Sequence, residues 1–385
     1  MMNTTLANRY SKTTYRVAVG SMFFLQGLCF ASWGSRIPSI QEKLQLSETA
    51  LGMVLFSLPI GLMLSLPFSG WLIAKVGSRI VVITSLLLYS IFLFSIGLAN
   101  HVAVLCAILF VFGFAANAVN IAVNTQAVGV EAIYNKPIMA TFHGFWSLAG
   151  FFGAAIGTLM IGLEMQPYQH FFLIMLLTIA GVFVASRFIL TEDVKTGEDQ
   201  PVFAMPDKSL LNLGLIAFCA MICEGAMFDW SGVYFRKVIL AEKAMIGAGY
   251  TAFMSTMASG RFVADSLTAR FGLKRILQGS GVLIALGLMI AVVFPYFISS
   301  IIGFFFVGAG VSSVVPLVYS AAGKSKAMSP GVALAAVSSI SFLGFLLGPP
   351  LIGLVAGATS LRISFTIIAI MGFFVTIIAS RTKAL

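Results

Sequence analysis

Twelve runs of about 20 apolar residues leave this 385-residue chain few ways to fold. A helix needs roughly 20 such residues to cross the hydrocarbon core of a bilayer. Inside lipid every backbone polar group has to be satisfied within a helix or a closed barrel. The runs centre near residues 27, 61, 90, 115, 152, 179, 222, 258, 284, 310, 343 and 370. Charged residues make up 9% of the chain and hydrophobic ones 59%, whereas a soluble domain carries about 25% charged residues. The expectation is an all-α membrane protein with 12 transmembrane helices.

The same composition excludes several functions. The formal charge of +10 is scattered between apolar runs and forms no basic stripe, so nucleic acid is not expected as a partner. Cys29, Cys106, Cys219 and Cys223 all fall in apolar segments without metal-ligand spacing, and read as small packing residues. No P-loop, metal cluster or nucleophile–base pattern appears. The chain therefore reads as neither an enzyme nor an ATP-driven pump, with no catalytic residue, metal or cofactor. The first apolar run, near Tyr15 to Pro38, is too long for a signal-peptide core.

Lysine and arginine orient the spans, because cytoplasmic loops are enriched in them. With both termini cytoplasmic, the outer ends hold six: Arg36, Lys43, Arg236, Lys237, Lys243 and Arg362. Sixteen fall on the inner side, and Arg261 lies within a span. The long polar connection from Leu190 reads as a cytoplasmic linker, giving an N-terminal half at 1–189, a linker at 190–208 and a C-terminal half at 209–385. The halves repeat. Ala74 to Gly77, A-K-V-G, returns as A-R-F-G at Ala269 to Gly272, and Gly113 returns as Gly308. Ser147 and Gly150 return as Ser341 and Gly344, and Trp33 returns as Trp230. A nearly constant shift of half the chain predicts two pseudo-symmetric six-helix halves, the build of a secondary transporter with its site at the repeat interface.

Twelve spans, a middle linker and this duplication resemble the major facilitator superfamily. Its loop after span 2 typically reads G-x-x-x-D-R-x-G-R-R, and Gly70 to Arg79 reads G-W-L-I-A-K-V-G-S-R. The motif acid is Ala74 here and Ala269 in the second copy, which puts the family's cytoplasmic charge lock in question. A closer resemblance is to a poorly characterised bacterial inner-membrane branch distantly akin to the fucose permease group. It rests on A-S-W-G-S-R-I-P-S-I (Ala31 to Ile40), F-H-G-F-W-S-L (Phe142 to Leu148), E-G-A-M-F-D-W (Glu224 to Trp230), G-R-F (Gly260 to Phe262) and G-P-P-L-I-G (Gly348 to Gly353). The resemblance implies that spans 1, 4, 7 and 10 line a cavity and that spans 2, 5, 8 and 11 form gates. Fucose-type symporters place acids in spans 1 and 4. This chain has Gln26, Arg36 and asparagines there, so that mechanism does not transfer.

The polar residues of the spans supply the candidate site. In span 4, Asn117, Asn120 and Asn124 share one helical stripe. Amides both donate and accept, which suits hydroxyl-rich ligands, although asparagines also tie helices together. Gln126 points the opposite way and reads as structural. Gln26, Trp33, Trp146 and Trp230 complete the expected cavity, with packing as the alternative role for each tryptophan. In span 7, Glu224 and Asp229 lie five residues apart, about 140° around the helix and about 7.5 Å along it, so they do not form one carboxylate pair. Glu224 has no cation partner evident in the sequence and is expected to carry the proton. Asp229 is expected to meet Arg36 in an outer gate, with snorkelling to headgroups as the alternative for Arg36. Arg261 and Asp265, four apart on span 8, are expected to pair with each other in an inner gate. His143, at the cytoplasmic end of span 5, is a second candidate proton site.

Together these features predict a proton-coupled secondary transporter in the bacterial inner membrane. It is expected to act as a monomer in the lipid bilayer on a small polar organic solute, a sugar or sugar derivative above others. Proton-coupled efflux of drugs or metabolites is the first alternative. A membrane sensor or assembly factor that does not transport is the second.

Overall fold

A computed structural model describes residues 10–134, 138–193, 208–324 and 330–382. Twelve α-helices occupy those residues, with no strand among them. They are α1 (Lys12–Lys43), α2 (Glu48–Val76), α3 (Ser78–Leu98), α4 (Val102–Tyr134), α5 (Met139–Gly162), α6 (Pro167–Ala185), α7 (Lys208–Lys237), α8 (Ala248–Phe271), α9 (Leu273–Val293), α10 (Phe297–Gly323), α11 (Pro330–Ala358) and α12 (Leu361–Arg381). Eleven are long and apolar enough to cross a membrane. The one that falls short is α8, in which Arg261, Asp265, Arg270 and several hydroxyl residues lower the apolar content.

Helix length follows a pattern of three. Every third helix is short: α3, α6, α9 and α12 hold 21, 19, 21 and 21 residues. At about 1.5 Å per residue these span about 30 Å. By contrast α1, α4, α7 and α10 hold 32, 33, 30 and 27. Prolines interrupt α1 at Pro38, α2 at Pro59 and Pro67, α10 at Pro316, and α11 at Pro349 and Pro350. Each removes a backbone hydrogen bond and favours a bend.

The chain divides into two compact units, Met1–Leu44 with Ser57–Thr196, and Gln45–Phe56 with Gly197–Leu385. In the first, α1 packs on α5, α6 and α4, and α3 on α4 and α6. In the second, α7 packs on α11, α12, α10 and α8, and α9 on α10 and α12. The first turns of α2, through Phe56, belong to the second unit. There Gly52 lies against Gly353 of α11, Thr49 donates to the Gly353 carbonyl (3.3 Å), and Glu48 pairs with Lys237.

The sequence repeat is visible in local geometry. Gly77 and Gly272, the last residues of A-K-V-G and A-R-F-G, precede α3 and α9 with φ of 84° and 83° and ψ of 152° and 150°. That region favours glycine. A side chain at Gly113 would strike the Leu58 carbonyl of α2, and one at Gly308 the Phe253 carbonyl of α8. Both members of this crossing recur with the same half-chain shift, Leu58 as Phe253 and Gly113 as Gly308. Lipid offers helices no hydrophobic driving force toward each other, so small residues that let backbones approach carry the packing.

Candidate functional site

In the second unit the centre is a buried ion pair. Glu224 of α7 lies with Oε1 3.5 Å from Nη2 of Arg261 on α8. Both groups are largely withdrawn from solvent. This corrects the expectation that Glu224 has no cation. The side chain of Asp265, the expected partner of Arg261, lies outside the described residues, and Glu224 is an acid that the described residues place against Arg261. The reason is helix reversal. Helix α7 ends at Lys237 and α8 starts at Ala248, and Glu224 and Arg261 stand equally far from those two ends. A short connection folds the helices back so that these positions come level. Counting outward from the connection could have found the pair.

Asp229 has a different environment. It is 9% exposed and has no hydrogen bond or ion pair among the described residues. Beside it on the chain, the indole nitrogen of Trp230 and the hydroxyl of Ser231 are buried without a hydrogen-bond partner. Tyr250, in the first turn of α8, is buried with its hydroxyl unbonded. It packs edge-on against Phe228 at 6.1 Å.

In the first unit the asparagine stripe separates into two parts. Asn117 is buried and donates to Ser65 of α2 at 3.4 Å, tying two helices together. Asn124 donates to the carbonyl and side-chain oxygens of Asn120, at 2.7 and 3.0 Å, and both residues are half-buried. Gln26 of α1 donates to the Ala116 carbonyl of α4 at 3.3 Å, which leaves its own oxygen buried and unbonded. Trp33 is buried with an unbonded indole nitrogen, while Trp146 is half-buried at 6.0 Å from Phe30. His143 is exposed and meets the Phe23 ring edge-on at 5.4 Å.

Arg36 has a partner that the sequence did not suggest. It is 2% exposed, so it does not snorkel. Its Nε donates to Nδ1 of His170 on α6 at 3.2 Å, a bond made inside the first unit. Asp229, its expected partner, belongs to the second unit. Because Nδ1 accepts, the imidazole proton has to sit on Nε2. His170, in the first turn of α6 just after Pro167, lies outside the cavity and gate spans that sequence reasoning singles out.

Asp193 is a second residue that span-based reasoning passes over. Its carboxylate accepts from the Ser78 backbone at 2.7 Å and from the Ser78 hydroxyl, at the start of α3. Gln126 of α4 donates to the same hydroxyl (2.7 Å) and exchanges two bonds with the Leu190 backbone (3.1 and 2.9 Å). Gln126 is thus structural, as expected. An acid arriving from beyond α6 serves the loop that lacks an acid at Ala74. An open groove of about 940 Å³ lies elsewhere, along α1, α5 and α6. Its lining, from Val17 and Phe24 to Phe145 and Phe188, contains no charged side chain.

Eleven apolar helices of membrane-crossing length, with a buried ion pair among them, mark a multi-pass membrane protein, and the comparisons make it a transporter rather than an enzyme. The Major Facilitator Superfamily model matches residues 19–240 and 213–383. An uncharacterized MFS-type transporter of Yersinia pestis is 32% identical over 358 residues, covering 92% of each chain. Membrane protein MosC of Rhizobium meliloti is 31% identical over 363 residues, 93% of this chain and 88% of that one. The chain belongs to the Major Facilitator Superfamily. In fold it resembles the nucleoside transporter NupG (TM-score 0.77, 13% identity, 96% of this chain and 100% of that one). It also resembles the E. coli fucose:proton symporter FucP (TM-score 0.59, 18% identity, 95% and 98%).

Proposed function

We propose that this transporter is a proton-coupled carrier of a small polar organic solute, a sugar or sugar derivative above others. It works by alternating access in a bacterial inner membrane, as a monomer. Its twelve helices act as two six-helix halves with both termini cytoplasmic. The observation that carries the reading is the Glu224–Arg261 pair. Two opposite charges withdrawn from water hold each other in place, and removing either leaves the other uncompensated. A proton arriving at Glu224 would release Arg261 and loosen α7 from α8. Proton binding would thereby move a helix that the family fold assigns to a gate.

The solute side of the reading rests on Asn120, Asn124 and Gln26, whose amides retain hydrogen-bonding capacity, with Asn117 in support. Trp33, Trp146 and Trp230 supply flat apolar faces for a sugar ring. Arg36 and Asp229 serve the outer side, Arg261 and Asp265 the inner gate, and His143 is a second proton site. NupG is a nucleoside transporter and FucP a fucose:proton symporter, and both solutes are of this class.

The test begins with a thermal-shift screen of the purified protein against metabolites. The stabilising compound is then used, labelled, in proteoliposomes with an imposed proton gradient. The wild type should concentrate it only when the gradient is present. Glu224→Gln should bind it but fail to concentrate it. Gradient-driven accumulation by Glu224→Gln would remove Glu224 from the coupling step. Accumulation without any gradient would remove proton coupling altogether.

A further inference from the structure

We propose that Asp229 is a second proton-binding carboxyl of this carrier and that it is protonated in the state the structure describes. The assignment deepens the proton-coupled reading and rests on it for its role in transport. Its proton occupancy can be tested independently.

Charge is unevenly balanced along α7. The helix presents two buried acids, and one of them, Glu224, already has Arg261. The helices packed on α7 are α8, α10, α11 and α12. On α8 the titratable groups are Tyr250, Arg261, Asp265 and Arg270. On α10 there is Tyr319, bonded to Ser341, and α11 has none. On α12 Arg362 donates to the Val292 carbonyl and Arg381 lies at the far end. On α7 itself Arg236 and Lys237 stand seven and eight residues on, and Lys237 pairs with Glu48. None of these cations reaches Asp229 among the described residues.

An ionised carboxylate with neither cation nor hydrogen bond is not sustained in a low-dielectric interior, where such a group neutralises instead. Two neutralising agents are available, a proton and a cationic ligand. Asp229 is 9% exposed, and of the two the proton asks less of such a side chain. A proton needs no room. Tyr250, packed against Phe228 one residue before Asp229, has a buried and unbonded hydroxyl, a group able to donate to a carboxylate or accept from an acid. In the repeat, Asp229 falls on Ser32, which is neutral and also buried. The step is a simple exchange. A carboxylate oxygen of Asp229 takes a proton from water when the site is wet and returns it when the site next opens. No electrons move. Two acids on one helix, one held charged by arginine and one held neutral by isolation, divide the labour as paired carboxyls in different environments do.

Infrared difference spectra of the purified protein, titrated through neutral pH without solute, read the proton directly. A protonated buried carboxyl gives a C=O stretch distinct from that of a carboxylate. The band should be present at neutral pH in the wild type and in Glu224→Gln, and lost in Asp229→Asn and Asp229→Ser. Both Asp229 variants should melt close to the wild type, since each replaces one neutral group with another. A band that survives in Asp229→Asn, or that is absent from the wild type, would overturn the assignment. So would stabilisation by tetramethylammonium chloride in the wild type but not in Asp229→Asn, because the balancing charge would then be a ligand. If the band follows Asp229 while no solute accumulates on a gradient, the assignment stands and the coupling reading fails. If accumulation follows the gradient while the band ignores Asp229, only the assignment fails.

Discussion

Residue by residue, the two acids of α7 differ through their neighbours. Glu224 and Arg261 satisfy one another, so each single substitution should be worse than the double. Breaking a buried pair from one side costs about 3–5 kcal/mol, whereas replacing both partners with apolar residues is often neutral. Glu224→Gln and Arg261→Met should each lower the melting temperature, and Glu224→Leu combined with Arg261→Met should recover most of the loss. Equal and additive losses in a double-mutant cycle would show that the two side chains do not interact. At this scale the sequence was only partly legible. It marked Glu224, Asp229, Arg261 and Arg36 as unusual, since charges inside apolar runs stand out. It did not pair Glu224 with Arg261, because pairing depends on where helices turn back and which faces meet. His170 stayed hidden because the cavity and gate spans drew attention away from a histidine at the start of a support helix.

Among the elements, glycine decides how closely helices cross. Gly113 and Gly308 each leave no space for a methyl group beside a neighbouring carbonyl. Gly279, inside α9, has nothing within 4 Å. Gly113→Ala and Gly308→Ala should therefore reduce thermal stability, by similar amounts if the crossings are equivalent. Gly279→Ala should leave it unchanged or raise it by up to about 1 kcal/mol, the propensity difference between glycine and alanine in a helix interior. A stabilised Gly113→Ala would contradict the crossing geometry, and thermal melts in detergent would read all three. Helix positions were legible because a run of about 20 apolar residues has few other uses. The half-chain repeat was legible too, and it reappears in the matched turns at Gly77 and Gly272. The clamp at Asp193 was not. Its acid lies far along the chain from Ser78, beyond three further helices, and nothing in the spacing connects them. Asp193→Asn keeps the shape but gives up the charge-assisted bonds to Ser78, each of a kind worth about 1.5–3 kcal/mol. It should speed hydrogen exchange at the start of α3 and leave exchange in α9 unchanged.

For the whole molecule, the alternation of long and short helices has a consequence for the lipid around it. The four shortest helices, at about 30 Å, match the hydrocarbon core of an ordinary bilayer. The others overshoot it and can absorb extra thickness in their protruding turns. Acyl chain length should therefore be felt first at α3, α6, α9 and α12. A thicker bilayer has to thin beside them, at fractions of a kcal/mol per Å of mismatch. Their polar ends would be drawn inward while the long helices ride through undisturbed. The lipid would act on this carrier as a strain applied to every third helix.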